Sequence, residues 1–228
     1  HVTSHYKDEN AILKNLTLDI PKYEVTGTIG HSGAGKTTLA KILSGFIPYE
    51  GNIKIEEKEL REVLAHEKQS YYRRVQYLFQ NSLLSFNPNQ TIFKSLEEPL
   101  RFMWKIKDKT ERIQMIQELF TSLELEFEWL EKYPHQLSGG QCQRCAIARA
   151  ILAKPECLIC DEITSSLDDV NQEKVIQVLQ KVQEETNMTI VLISHNQTLI
   201  EAICSNVIVL EEGQLMETLI TEDKEHKN

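Results

Sequence analysis

The nine residues Gly30-His31-Ser32-Gly33-Ala34-Gly35-Lys36-Thr37-Thr38 join two glycines five positions apart to a lysine and a hydroxyl residue. Each residue type has a physical reason to be there. Glycines let the backbone turn tightly and aim its N–H groups at an anion. Lys36 brings positive charge to the β- and γ-phosphates of a nucleotide, and the Thr37 hydroxyl is a hard oxygen donor suited to Mg²⁺. A helix starting at about Lys36 adds the positive end of its dipole.

Other stretches carry compatible chemistry. Leu137-Ser138-Gly139-Gly140-Gln141 leads at once into a helix read from Gln141 to Leu152, which Ser138 can cap. Two glycines at a helix N-terminus make a second anion site. One domain does not obviously need two such sites, whereas a dimer that shares nucleotides across its interface does. Cys157-Leu158-Ile159-Cys160-Asp161-Glu162 reads as a buried strand ending in two acids. Adjacent side chains face different ways, so Asp161 can join a Mg²⁺ shell while Glu162 polarises an attacking water. Two solvated acids at a strand end is the plain alternative. His195 ends the apolar strand Thr189–Ser194, and Gln80 ends Val75–Phe79. Strand ends in open α/β sheets face the ligand crevice. Gln80 is there either a ligand of Mg²⁺ or water, or a solvated loop residue. Tyr6 is either a stacking face for a purine or an ordinary, partly exposed tyrosine.

The elements that must position these residues read as an α/β pattern. Ala11–Ile20 alternates as a strand. Val25–Ile29 is a β-branched strand ahead of the glycine loop, and Thr38–Leu43 is helix-like, stopped by Gly45 and Pro48. Gly51–Ile55 is a short strand. From Asn81 to Pro134 strands vanish, and Thr91–Trp104 and Thr110–Leu125 are read as helices. Leu96, Leu100, Ile113, Ile116, Leu119, Phe120 and Leu123 are their core candidates. Phe102, Trp104, Phe127 and Trp129 are expected to pack in that helical insert. A polar turn, Ser165–Asp168, enters a helix from Val170 to Gln183, and Val207–Leu210 with Gln214–Met216 predicts a closing hairpin around Glu212-Gly213.

The composition sets limits. The 228 residues suffice for one sizeable α/β domain or a domain with a small insert, with 41% hydrophobic and 26% charged residues. A net charge of −9 without a basic run argues against nucleic acid as the main partner. No apolar run approaches the ~18 residues that span a bilayer, and no secretory segment is present, so a cytosolic or peripheral protein is expected. The sequence starts at His1, which implies a trimmed or missing natural start. Cys142-x-x-Cys145 and Cys157-x-x-Cys160 imitate a zinc-knuckle spacing. The second pair lies on a strand, where residues three apart point to opposite faces, so the cysteines are read as small buried apolar residues and no zinc is expected.

In their order along the chain, the glycine loop, Gln80, Leu137–Gln141, Cys157–Glu162, Ser165–Asp168 and His195 resemble the nucleotide-binding domain of the ABC (ATP-binding cassette) transporters. The resemblance runs from about Tyr6 to about Met216. It implies an α/β fold: a P-loop NTPase core with a mixed sheet and an antiparallel β subdomain, plus an inserted α-helical subdomain. Residues 1–228 would be one domain, with 1–80 and 155–220 as the RecA-like and β core, about 81–153 as the helical subdomain with the signature, and 221–228 as a polar tail. The implied cofactors are ATP and Mg²⁺. Tyr6 would stack on adenine, and Gly30, His31, Ser32, Gly33, Ala34, Gly35, Lys36, Thr37 and Thr38 would cradle the phosphates. Thr37, Gln80 and Asp161 would surround the metal. Glu162 would be the general base, with His195 and Gln80 at the γ-phosphate. Ser138, Gly139, Gly140 and Gln141 would contact the ATP of an opposite subunit, and Asp168 would touch that partner.

A finer resemblance lies in Phe79-Gln80, Ser85-Phe86-Asn87-Pro88, Thr91-Ile92, Glu98-Pro99-Leu100 and Tyr133-Pro134-His135-Gln136, which are similar to the peptide and nickel importer branch. That branch implies a peripheral subunit on the cytoplasmic face of the cell membrane. Its partners would be a second, non-identical ATPase subunit, two permeases and an extracellular solute-binding protein, with no nucleic acid. Three features depart from it: Ile163 stands where Pro is commonest, Asn196 follows the histidine where Asp is usual, and the His-Pro-Tyr motif of the peptide subgroup's C-terminal tail is missing. An exporter subunit, a soluble ABC ATPase of ribosomes or DNA, and a small P-loop kinase are the rivals. The soluble kinds usually carry two cassettes or long coiled coils, and the kinase needs neither Leu137–Gln141 nor His195.

Overall fold

In this computed structural model, residues 2–5 and 11–220 are described, with side chains from Ile12 to Ile220. Tyr6 and the segment 221–228 lie outside the described residues.

Three parallel strands place the chemistry. Strands β3 (Val25–Ile29), β8 (Cys157–Asp161) and β9 (Thr189–Ile193) are short and largely buried, β8 and β9 as mainly apolar runs and β3 with Thr26 and Thr28 inside. They occupy the middle of a six-stranded sheet ordered β11-β10-β3-β9-β8-β7. Strands β7 (Val75–Leu78) and β10 (Asn206–Glu211) extend it in parallel, and β11 (Gln214–Ile220) closes one edge antiparallel to β10. Within β8 the pleat divides the core. Leu158 and Cys160 enter the large cluster shared with the helical insert, while Ile159 packs with Ala40, Val191 and Ile193 on the other face.

Helix α1 (Lys36–Leu43) covers that second face, and α7 (Asp169–Thr186) and α8 (Gln197–Ile203) follow β8 and β9. A second, three-stranded antiparallel sheet joins β1 (Val2–His5), β2 (Ala11–Leu16) and β4 (Glu50–Gly51). A two-stranded ribbon, β5 (Lys54–Ile55) with β6 (Lys58–Glu59), precedes α2 (Leu60–His66) and α3 (Lys68–Arg74). Leu13, Leu16, Leu39, Ile42, Leu60 and Tyr71 form the core between these parts and α1.

Between β7 and β8 the chain is helical. Helices α4 (Ile92–Glu98), α5 (Lys109–Ser122) and α6 (Gly139–Leu152) share one core with Phe86, Leu125 and Trp129. Arg112 and Glu97, each with about 10% of the side chain exposed, form an ion pair at 3.0 Å inside this bundle. Arg112 Nη1 also donates to the carbonyls of Ile106 and Lys107 at 2.9 and 2.8 Å, so its charge is paired and further anchored by backbone oxygens.

Several expectations need correction. The alternating run from Ala11 is a strand only to Leu16, because Asn15 turns to a left-handed φ of +53°; Leu18 and Ile20 still pack on the core without ladder partners. Gly51–Ile55 is split between β4 and β5, with Gly51 at φ +93°. The helix after Thr91 changes at Pro99 to a wider π-turn over Pro99–Met103, since proline cannot donate to the α-helical ladder. Phe102 is 69% exposed rather than packed, Phe127 is 49% exposed with its ring against Phe120 at 6.2 Å between centroids, and Trp129 is buried. Ile113 and Leu119 are half-buried. Helices α2, α3 and α8 were not anticipated.

Cys142, Cys145, Cys160 and Cys204 are buried and Cys157 is half-buried. Burial pushes the thiols of Cys142, Cys145 and Cys160 up from their ordinary value and that of Cys157 to about 12. Among the described residues, no helix is long and apolar enough to cross a membrane.

Candidate nucleotide site

The ends of β3, β8 and β9 open on one crevice. The loop Gly30–Gly35 leaves β3 there and turns into α1 at Lys36. Gly35 is the hinge of that turn. Its φ is +100°, and a Cβ would stand 2.4 Å from the Leu13 side chain, so only glycine fits. His31, Ser32 and Gly33 are exposed, while Ala34 is buried and Thr38 half-buried.

Lys36 is 4% exposed and folds back along the loop, its Nζ donating to the carbonyls of Gly30 and His31 at 2.8 and 2.9 Å. Burial lowers its pKa, and the charges of Glu162 and Asp161 pull it back up. Both carboxylates therefore lie close enough to act on the same ammonium.

The two acids diverge as adjacent strand-end residues should. Asp161 is 6% exposed and turns toward α1, where Thr37 Oγ1 donates to its Oδ1 at 3.0 Å. Glu162 turns toward β9, and its Oε1 lies 2.5 Å from His195 Nε2. The backbone at Glu162 has φ +51°, an unusual state for a side chain of this size. It is held by its own N–H, which donates to Ile193 O at 3.0 Å, and by its carbonyl, which accepts from the Ser165 amide at 3.1 Å. The Ser165 hydroxyl donates to that same carbonyl at 2.9 Å. Gln80 completes the relay, its Nε2 donating to Ser165 Oγ at 3.0 Å. Gln80 is thus placed beside the Glu162 loop.

The signature stretch of the helical insert, Leu137–Gln141, opens helix α6. Ser138 caps α6, accepting from the Gln141 amide at 3.3 Å, and the Gln141 side chain accepts from the Ser138 amide at 3.0 Å. The helix therefore begins at Gly139, two residues before the expected start. Gly140 touches Asn171, whose Oδ1 would sit 2.6 Å from any added Cβ. Asn171 in turn donates to Asp168, which caps α7. Those hydrogen bonds hold the Asp168 carboxyl below the usual carboxylate range. Asn196 caps α8 by accepting from Leu199 N–H at 3.1 Å.

Three functional neighbours escaped sequence reading: Ser165 as a relay, Asn171 as the link between Asp168 and the signature, and Tyr77, whose hydroxyl donates to Asp161 Oδ2 at 2.5 Å. The pleat of β7 was the available signal for Tyr77, since it sets that residue on the α1 face.

The donor set fits a hard cation. One carboxylate and one hydroxyl stand side by side, and Mg²⁺ is held by one or two carboxylates together with substrate phosphates. Among the described residues no group of three or more His, Cys, Asp or Glu converges, so such a cation would take its remaining ligands from neutral side chains, phosphate and water.

Comparison with known proteins identifies the family and the fold. A family described as "ABC transporter" matches residues 13–165. The nickel import ATP-binding protein NikE of Shigella sonnei is 37% identical over 215 residues, covering 94% of this chain and 80% of that protein. The solved dimeric, post-hydrolysis ATP-binding cassette MJ0796, bound to ADP and Pi, superposes with a TM-score of 0.85 at 29% identity, covering 97% of each chain. The cbiO1 protein of Clostridium perfringens, part of the transporter complex cbiONQ, has the same fold with a TM-score of 0.85 at 24% identity, over 97% of this chain and 86% of that one.

Proposed function

This chain is an ATPase of the ABC transporter family, and from that premise we propose that it powers a membrane importer for nickel, a metal chelate or a peptide. The supporting observation is the 37% identity to a nickel import ATP-binding protein across 94% of the chain. In this reading residues 1–80 and 155–220 form the core, and about 81–153 form a helical subdomain that passes motion to two permeases. The subunit sits peripherally on the cytoplasmic face of the membrane, pairs with a second, non-identical ATPase and works with an extracellular solute-binding protein.

The loop Gly30–Thr38 holds the phosphates of ATP, with Tyr6 against the adenine. Lys36, already stripped of water, exchanges its loop carbonyls for phosphate oxygens, a stronger, charge-assisted contact. Thr37 and Asp161, with Gln80, would hold Mg²⁺. The cation supplies charge neutralisation on the phosphate oxygens. Glu162 accepts a proton from the attacking water as its oxygen bonds to the γ-phosphorus and the bond to the ADP oxygen breaks. His195 orients Glu162 and donates to the γ-phosphate, and Gln80 follows the γ-phosphate through the Ser165 relay. Ser138, Gly139, Gly140 and Gln141, at the capped N-terminus of α6, bind the ATP of the opposite subunit.

Purification from native membranes in mild detergent tests the assembly. Two permease chains and a second ATPase are expected to travel with this one. Recovery of the chain alone, or with ribosomes, refutes the reading.

A further inference from the structure

Strands β7 and β8 run parallel with Tyr77 opposite Ile159. Tyr77 therefore shares the α1 face with Ile159 and, two residues on, with Asp161. Its phenol reaches along that diagonal and donates to Asp161 Oδ2 at 2.5 Å, while Thr37 donates to Oδ1 at 3.0 Å. A carboxylate engaged at both oxygens from two different elements cannot rotate freely. The phenol itself is fixed. Phe79 meets its ring edge-on at 4.8 Å between centroids, and Phe46 lies at 5.3 Å.

We infer that Tyr77 is a positioning residue for the cation that accompanies ATP: it locks the Asp161 carboxylate in the orientation that offers an oxygen to the metal, and the Phe46–Phe79 pair locks Tyr77. The inference rests on the reading of Asp161 as a metal ligand. Groups that orient a ligand from behind typically govern metal affinity by 10–100-fold.

The test titrates Mn²⁺, followed by its electron paramagnetic resonance signal, into the purified chain with a non-hydrolysable ATP analogue. Tyr77→Phe should raise the Mn²⁺ dissociation constant about 10-fold or more. Its affinity for the analogue without metal should stay within about twofold, as should kcat at saturating Mg²⁺. Phe46 is 47% exposed, so Phe46→Ala leaves the core filled and should give a smaller rise in the same constant. It decides the matter if Tyr77→Phe does not fold. An unchanged Mn²⁺ constant in these variants, with a weakened one in Asp161→Asn, overturns the inference alone. An unchanged constant in Asp161→Asn overturns both it and the reading of Asp161. A kcat that stays low at saturating Mg²⁺ overturns it too, since plain structural damage would do that.

Discussion

Replacing Glu162 is the most direct trial of the chemistry. Its Oε1 lies 2.5 Å from His195, with 16% of the side chain exposed, and its backbone is held by Ile193 and Ser165. Glu162→Gln keeps the size and the backbone but removes the oxygen that accepts a proton. A positioned general base contributes about 10²–10⁴-fold, or roughly 3–5 kcal/mol of barrier at 1.36 kcal/mol per decade. Glu162→Asp retains the base but withdraws it by one C–C bond, about 1.5 Å. The gap to His195 then opens from 2.5 Å to about 4 Å, and a misplacement of about 1 Å can cost roughly 10²-fold. Single-turnover hydrolysis of radiolabelled ATP should rank wild type over Asp over Gln. ATP affinity, measured by calorimetry on the same samples, should stay within about threefold. Light scattering should show the Gln variant paired on addition of ATP. A Gln variant that turns over within about twofold of wild type, or one that no longer binds ATP, refutes the assignment.

Lys36→Ala removes the charged donor at the phosphates, worth about 1.5–3 kcal/mol, and should weaken ATP binding roughly 10- to 150-fold by calorimetry; normal affinity contradicts the loop's role. Arg112→Leu leaves Glu97 unpaired inside the helical bundle, at a cost of about 3–5 kcal/mol. Scanning calorimetry should record a melting temperature lower by about 10 °C, and Glu97→Gln in the same chain should recover part of it. Cys157 has its thiol pushed up to about 12 by burial, above its ordinary 9.0. Less thiolate is then present at pH 8, so iodoacetamide should modify Cys157 at least about 100-fold more slowly in the folded protein than in the unfolded chain. The folded rate should keep climbing as pH passes 9, where an ordinary thiol levels off.

Local signals were legible wherever one segment supplies both pattern and partner. Val25–Ile29, the glycine loop and α1 were read together because strand, turn and helix are contiguous. Asp161 and Glu162 could be told apart because neighbours on a strand must diverge. Legibility failed where the deciding partner is remote. Tyr77 and Asp161 are 84 residues apart, and nothing in Val75–Leu78 announces a hydroxyl partner. Alternation in Ala11–Ile20 reported the inward-facing residues correctly, yet Leu18 and Ile20 pack half-buried on the core without strand pairing. Phe102 shows the converse, being an aromatic residue in a helical segment that the bundle leaves outside. Glu162's left-handed backbone was invisible in the sequence, because a Glu residue gives no local reason to adopt it.

The Gln80–Ser165–Glu162 relay has a mechanical meaning. Gln80 stands where the chain enters the helical insert, and Ser165 supports the carbonyl of Glu162, the proposed general base. A hydrogen bond of 3.0 Å is lost once its ends part by little more than 0.5 Å, so the insert's doorway and the Glu162 backbone share one degree of freedom. Such a bond contributes about 1 kcal/mol net, a bias of roughly fivefold between the joined and parted arrangements. That is a detent rather than a lock. It is firm enough to keep insert and catalytic loop in step at rest, and weak enough for one bound phosphate to release.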